Sequence, residues 1–561
     1  MTSEKEPVFK IPLAYLENKK KMKSEINNDL ELISGENPFY ETLFDADDDF
    51  KKLTIAQQSK YFTDNTDFLK QTQKILTNGI PLPPSHENIM DIRKTLLNNK
   101  DFLNKYDYVE WSMLRFLNEN PTAMQWMSLY SIASPILSLI LPLIMLIIPF
   151  FLIRLQNSLV TWQEYYKYLE IVLKNHSLGQ IFYIGSAAWD KKVMIIISLV
   201  FYLVQVYFNF QSCMKFIKNM KEIHKNLFVI RDYLNYTISA MDDIEKEWST
   251  HSLYLPFIKR TTEIKIKAKT LCKKLNNITP CRMSLSKAIN LGNVMSIWYT
   301  LNMNPESSEV IEYCIQLNSY LNSMVTLSNK INNKTLGRAN FVNKKVKIYG
   351  VYYPHIDTEP VKNDIDLSKN IIITGPNAAG KTTILKSTMF AIITSQQFGY
   401  GYYDSADIIP YTILHSYINI PDTSGRDSLF QAEATRCKSI LREISNNNDR
   451  HFCIFDELFS GTNPYEAISA ANAYLSYINK DKNVTYMLTT HFLDLCKNLD
   501  KTKTVRNMLM FVEEKDNDFV YNYKIKKGIS NVKGGIKVLK DLAYPEQIIN
   551  ESVKVIKSLK I

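Results

Sequence analysis

The sequence lacks the marks of several protein classes. Its seven cysteines never stand as Cys-x-x-Cys, and no histidine is spaced to complete a zinc site with them. That argues against a zinc module and fits thiols kept reduced. The opening residues, MTSEKEPVFKIPLAYLENKKKMKSE, have no apolar core of the kind a cleavable signal peptide needs. No internal repeat is visible, and NNN at 446–448 reads as a loop rather than a low-complexity tract. A further lack is local: from Pro121 to Ile153 there are 33 consecutive residues without a charge.

Hydrophobic residues make up 45% and charged residues 22% of the 561, close to globular averages, so a largely disordered chain is excluded. A net charge of +10 suits contact with phosphates, nucleic acid or an anionic membrane face, and equally a Lys-rich solvated surface.

The end of the uncharged run, ASPILSLILPLIMLIIPFFLI (133–153), reaches the roughly 20 residues needed to cross a hydrocarbon core. Pro135, Pro142 and Pro149 fall near one face of it, which a membrane helix tolerates when neighbours bond the carbonyls they free. A buried core helix is the competing reading. A second uncharged run, VMIIISLVFYLVQVYFNFQSCM (193–214), is crowded at its end by Gln205, Asn209 and Gln211; its Tyr202 and Tyr207 suit an interfacial anchor or a bundle contact. Between the runs, TWQEYYKYLEIVLKN is patterned as an amphipathic helix. Lys215, Lys218, Lys221 and Lys225 favour the cytosol for the flank they occupy, whereas Lys191 and Lys192 oppose it. The charge rule alone leaves the orientation open.

Helical periodicity surrounds this hairpin, and PLPPS (81–85) separates two of the helices. The expected divisions are an N-terminal arm (1–36), a first helical core segment (37–127), a transmembrane hairpin (128–214), a second helical core or lever segment (215–338), an α/β domain (339–520) and a C-terminal helical segment (521–561). From Phe341 the pattern turns to strand-type alternation, FVNKKVKIYGVYYPHI.

NIIIT (370–374) reads as a short buried strand, leading into Gly375-Pro376-Asn377-Ala378-Ala379-Gly380-Lys381-Thr382 and then a helix. This is G-x-x-x-x-G-K-[ST] in strand–loop–helix context, a P-loop. Its backbone N–H groups and helix N-terminus would face phosphate. Lys381 would neutralise the β- and γ-phosphates, and the Thr382 hydroxyl would ligate Mg²⁺. HFCIFDE (451–457) is a second apolar strand ending in two acids. Asp456 suits a Mg²⁺ partner through water, and Glu457 a base that orients the attacking water. A third strand, VTYMLTT, ends at His491, placed to sense the γ-phosphate.

GPNAAGKTT, SGRDSLFQAE, FDELFSGTNPYEA and LTTHFLDL, in that order, resemble the motifs of the MutS ATPases, within the wider ABC-type class. PVKNDIDL (360–367) resembles the segment before that family's P-loop, and KKGISNVKGGIKVLKDLAYPEQIINESVKVI its C-terminal dimer-contact region. The resemblance implies ATP and Mg²⁺ bound by Gly375 to Thr383, a homodimer with sites at its interface, and Ser428 reaching the partner's γ-phosphate. It also implies that Asn463 lies in a loop crossing that interface, Asn363 near the base or ribose, and His491 as switch histidine. Pro360 stands where the family stacks an aromatic on adenine. The fold expected is an α/β P-loop ABC-type ATPase domain at the C-terminus, preceded by an all-α core interrupted by two transmembrane helices.

Phe39-Tyr40-Glu41 superficially looks like the Phe-x-Glu wedge of mismatch readers, or is a coincidence at the start of the helical core. Three outputs stay open. One is a membrane-anchored MutS-like ATPase acting on DNA in repair or recombination. Another is a mechanochemical ATPase acting on membrane lipid or a membrane partner without DNA. The third is a structural protein using ATP only as a dimerisation switch.

Overall fold

The computed structural model describes residues 7–97, 101–155, 161–175, 179–186, 188–279, 290–356, 359–418, 420, 429–446, 449–515, 518–532, 536, 539–540 and 542–558. Ser428, Cys281 and Asn447–Asn448 lie outside them. The chain divides into two units: Met1–Pro83, Ser239–Glu263 and Tyr313–Ile561 form the first, and Pro84–Ile238 with Ile264–Glu312 the second.

The first unit is built on a six-stranded sheet. Strands β9 (Ile413–Tyr417), β10 (His451–Asp456), β11 (Val484–Thr489), β6 (Asn370–Thr374) and β12 (Val505–Lys515) run parallel in that spatial order, and β13 (Asp518–Lys527) returns antiparallel to β12 at the edge. β6 is buried at every residue and β10 and β11 almost so, because strands covered on both faces carry continuous rather than alternating apolar residues. The register sets Asp456 opposite Thr489, and Thr489 opposite Ile373. The loop after β6 and the acids after β10 therefore leave the sheet at one carboxyl edge, where open α/β sheets bind ligands. A smaller five-stranded sheet contains β5 (Asn363–Asp366), β4 (Lys347–Val351), β8 (Ser405–Ile408), β3 (Gly337–Phe341) and β7 (Tyr400–Gly401).

Two expected boundaries need correction. The segment before residue 36 is no separate arm: Phe9, Leu13, Ile26 and Leu32 are buried, Lys20–Lys21 (β1) pairs with Tyr61–Phe62 (β2), and the Phe9 ring meets Tyr313 edge-on at 5.3 Å. Its apolar residues are sparse and aperiodic in a charged background, so their burial leaves no pattern to read. The boundary at 520 cuts through β13, a strand of the main sheet.

The second unit is helical. Its packed base is drawn tight by Gly292, where a Cβ would stand 2.1 Å from the Pro121 carbonyl oxygen, and by the Arg93 guanidinium, which grips Glu312 at 2.8 and 2.7 Å. The first uncharged run, 121–153, nearly fills the helix Pro121–Leu155, whereas the second, 193–214, lies within a much longer one, Trp189–Trp248. The second does not stop near 214 because Phe216, Met220, Ile223 and Leu227 continue it as an amphipathic helix with a buried face. Both helices are long and apolar enough to cross a membrane by length and composition. The interlude Trp162–Asn175 is helical as its pattern suggests.

Two of the prolines, Pro142 and Pro135, have their freed carbonyls taken by identifiable partners. Pro142 cannot donate to the Ser138 carbonyl, and the Tyr202 hydroxyl of the neighbouring helix donates to that oxygen instead at 3.1 Å. Pro135 likewise frees the Ser131 carbonyl, which accepts from Ser134 Oγ at 3.2 Å. Tyr202→Phe should therefore cost about 1 kcal/mol in the native sequence and almost nothing in a Pro142→Ala background, where a backbone N–H takes the carbonyl. Unfolding of the four variants in one detergent forms the cycle that checks this.

Candidate active site

The loop between β6 and the helix Lys381–Phe398 makes its turn with two left-handed residues, Ala378 (φ +61) and Gly380 (φ +89). Gly380 is also close-packed: a Cβ there would lie 3.2 Å from the Tyr523 ring. The Lys381 ammonium is buried and folds back on the loop, donating to the Gly375 and Pro376 carbonyls at 3.1 and 3.2 Å. Burial pulls its pKa down, and only part of that is returned by Glu457 and Asp456.

Thr382 Oγ1 donates to Asp456 Oδ2 at 2.8 Å, while Asp456 Oδ1 accepts from the Thr489 hydroxyl. Glu457 is left-handed (φ +52), and its N–H is anchored on the Thr489 carbonyl at 3.1 Å. Strand pairing thus holds the backbone while the turn swings the carboxylate toward the loop. Glu457 Oε1 stands 3.1 Å from His491 Nε2, and the same nitrogen is 3.0 Å from Lys381 Nζ. One ring nitrogen cannot serve both: with its proton on Nδ1, His491 accepts from Lys381, and with a proton on Nε2 it donates to Glu457. The His491 hydrogen bond, followed by the charges of His491 and Lys381, holds Glu457 below the ordinary carboxylate range.

A hydroxyl and a carboxylate bonded to each other form an all-oxygen pair suited to a hard cation that keeps waters and phosphate oxygens as its other ligands. No cluster of three or more His, Cys, Asp or Glu that could hold a metal occurs among the described residues. Thr382 and Asp456 therefore fit Mg²⁺ and not a transition-metal cage. A cleft of about 740 Å³ adjoins the loop, with Gly375, Asn377, His491 and Tyr465 in its walls.

Two of the residues singled out in the sequence have their side chains committed to the protein itself. Asn363 Oδ1 accepts from the Ile525 N–H at 2.8 Å and its Nδ2 donates to the Tyr523 carbonyl at 3.0 Å. It thereby clamps a bulge in β13, where the pairing jumps from Phe511–Lys524 to Val512–Tyr521 and Tyr523 is left-handed (φ +51). Asn463 caps the helix Pro464–Ile478, accepting from the Glu466 N–H at 3.0 Å.

The structure gives roles to three residues not singled out in the sequence, although Thr489 and Glu433 stand within the motifs LTTHFLDL and SGRDSLFQAE. Tyr523 is brought against Gly380 by the bulge. Thr489 fixes both acids. Glu433, buried on the helix Leu429–Asn446, accepts from the Ser460 N–H and hydroxyl at 3.1 Å through Oε1, and from the Gly461 N–H at 3.1 Å through Oε2. It closes the loop on the C-terminal side of Glu457. Glu433→Ala leaves those two amides without their acceptor and should cost about 2–3 kcal/mol; denaturant unfolding reads the loss, with Glu433→Gln expected to recover part of it.

This edge of the sheet belongs to a recognisable class. Residues 371–560 match the family model for MutS domain V. Particular relatives sharpen the match. A DNA mismatch repair protein MutS of Fusobacterium nucleatum is 31% identical over 205 residues, covering 36% of this chain and 22% of the relative. A protein of the same description from Clostridium perfringens is 30% identical over 221 residues, 39% of this chain and 24% of its own length. One from Prochlorococcus marinus is 28% identical over 208 residues, 36% and 22% respectively. The chain thus spans less than a quarter of the length of these relatives, and the similarity supports the MutS family for its C-terminal third.

Proposed function

We propose that the protein is a membrane-anchored ATP hydrolase of the MutS type, whose two sites form between the subunits of a homodimer. The observation that carries the chemistry is the set of three contacts at the sheet edge, Thr382 on Asp456 and His491 Nε2 beside both Lys381 and Glu457. Thr382 and Asp456 are the residues that would hold Mg²⁺, which when bound would supply positive charge to offset that of the phosphates. The amides of Gly375–Thr383 cradle the phosphates, and Lys381 exchanges its two carbonyl partners for phosphate oxygens. Glu457, held ionised by its neighbours, accepts a hydrogen bond from the attacking water and orients it. His491 moves between Lys381 and Glu457 as the γ-phosphate comes and goes. Tyr523 supplies an aromatic face for the base where Pro360 offers none. Ser428 completes the partner's site.

The helices Pro121–Leu155 and Trp189–Trp248 anchor the chain in the bilayer, with the ATPase on the cytosolic side. Action on DNA rests on the relatives alone. A second reading, mechanical work on a membrane partner without DNA, is favoured by Phe39, which is buried and stacked on Phe390 at 4.0 Å and so is no exposed wedge. ATPase rates in nanodiscs with homoduplex and mismatched DNA separate the two. Stimulation greater with mismatches supports action on DNA. A rate indifferent to DNA but lost on deleting 128–214 supports the membrane machine.

A further inference from the structure

Within the second unit, a cleft of about 300 Å³ opens beside the start of the helix Pro121–Leu155. Met124, Met127, Phe216 and Met295 line it, Trp126 and Tyr130 stand at its rim with 71% and 68% of their surface exposed, and Asp107 is the charged group in its wall. Asp107 Oδ1 accepts from Lys215 Nζ at 2.9 Å, and both side chains are partly open to solvent. The wall hydroxyls are already used: Ser128 Oγ donates to the Met124 carbonyl at 2.7 Å and Ser131 Oγ to that of Met127 at 3.0 Å. Polar recognition is therefore left to Asp107 and its partner Lys215.

The cleft sits at a change of character along the helix Trp189–Trp248. Ile197, Phe201, Phe208 and Phe210 are exposed, whereas Phe216, Met220 and Ile223 are buried. Exposed tryptophan and tyrosine at such a transition match the level of lipid headgroups. A cation and an anion 2.9 Å apart, two aromatic rings and an apolar hollow complement a ligand with three parts. Its phosphate would meet Lys215, its ammonium would meet Asp107 and the ring faces, and its apolar chain would enter among the methionines. A headgroup with negative charge alone leaves Asp107 opposed to it.

We infer that this cleft holds one zwitterionic phospholipid per chain. The inference rests on the membrane reading above. The test is native mass spectrometry of the full-length protein in detergent, titrated with phosphatidylcholine and phosphatidylglycerol of identical acyl chains. One phosphatidylcholine should be retained per chain, about five- to tenfold in preference to phosphatidylglycerol. Asp107→Asn should abolish the preference; Asp107 is left-handed (φ +56), a conformation asparagine tolerates, so the fold should survive. Ser131→Phe, which fills the hollow and spares the ion pair, should remove the bound lipid. Equal retention of both lipids, or retention undiminished in Ser131→Phe, overturns the site. Alkaline carbonate extraction of membranes separates the two levels: a chain released to the supernatant defeats the membrane reading and the lipid site together. A chain that stays in the pellet without lipid preference defeats the lipid site alone.

Discussion

Glu457→Gln is expected to lower the ATP turnover number by a factor of about 10²–10⁴ while leaving ATP affinity within a few-fold. The substitution keeps the shape and the left-handed turn, and an amide oxygen still faces His491. In the proposed mechanism, what it removes is the charge that polarises the water and receives its proton. Single-turnover hydrolysis and equilibrium binding, measured on the same preparation, give the two numbers. Lys381→Ala should behave differently, losing affinity as well as rate, since its ammonium is the buried positive charge of the loop. ATP-bound Glu457→Gln should also accumulate as a dimer in size-exclusion chromatography. An unchanged rate would remove Glu457 as the base, and a wild-type rate already near zero would favour the dimerisation-switch reading.

The second large effect is on stability. Phe39→Ala should cost about 3–5 kcal/mol, because a ring with no exposed surface is removed from a packed site. The ring stacks on Phe390 at 4.0 Å and meets Tyr40 and Tyr402 edge-on at 5.4 and 6.2 Å. Phe390 lies on the helix that begins at Lys381, so the loss loosens the support of the phosphate loop. The melting temperature should fall, and ATPase activity should fall with it equally in the presence and absence of mismatched DNA. A wedge would give the opposite record, with mismatch stimulation lost and the melting temperature unmoved.

The strands β6, β10 and β11 were legible because parallel strands covered on both faces spell continuous apolar runs, and the glycine-rich motif after β6 dictates a turn and then a helix. The uncharged helices were legible by length, though the end of the second was not, since Phe216 and its successors hide their burial in a charged surround. Glu433 closes the motif SGRDSLFQAE yet was not legible as a loop anchor, because its partners at Ser460 and Gly461 are neighbours only in the fold. Tyr523 reaches Gly380 through a register jump in β13, and register is a property of two strands, not of one. Asn363 was placed near the nucleotide by resemblance; the structure shows its side chain given to the bulge beside Tyr523, a commitment that no local pattern announces. Phe39-Tyr40-Glu41 shows the converse, a three-residue match whose burial only tertiary structure reveals.

The grip of Glu433 on Ser460 and Gly461 also bears on timing. In the proposed dimer, the helix Leu429–Asn446 and the loop carrying Asn463 would both face the partner, and a single carboxylate splices them together. Neither can advance or withdraw ahead of the other without stranding two amides. Closure is then a single event with no half-latched stage, so a fluorescent reporter on the loop and another on the helix should record the same rate constant.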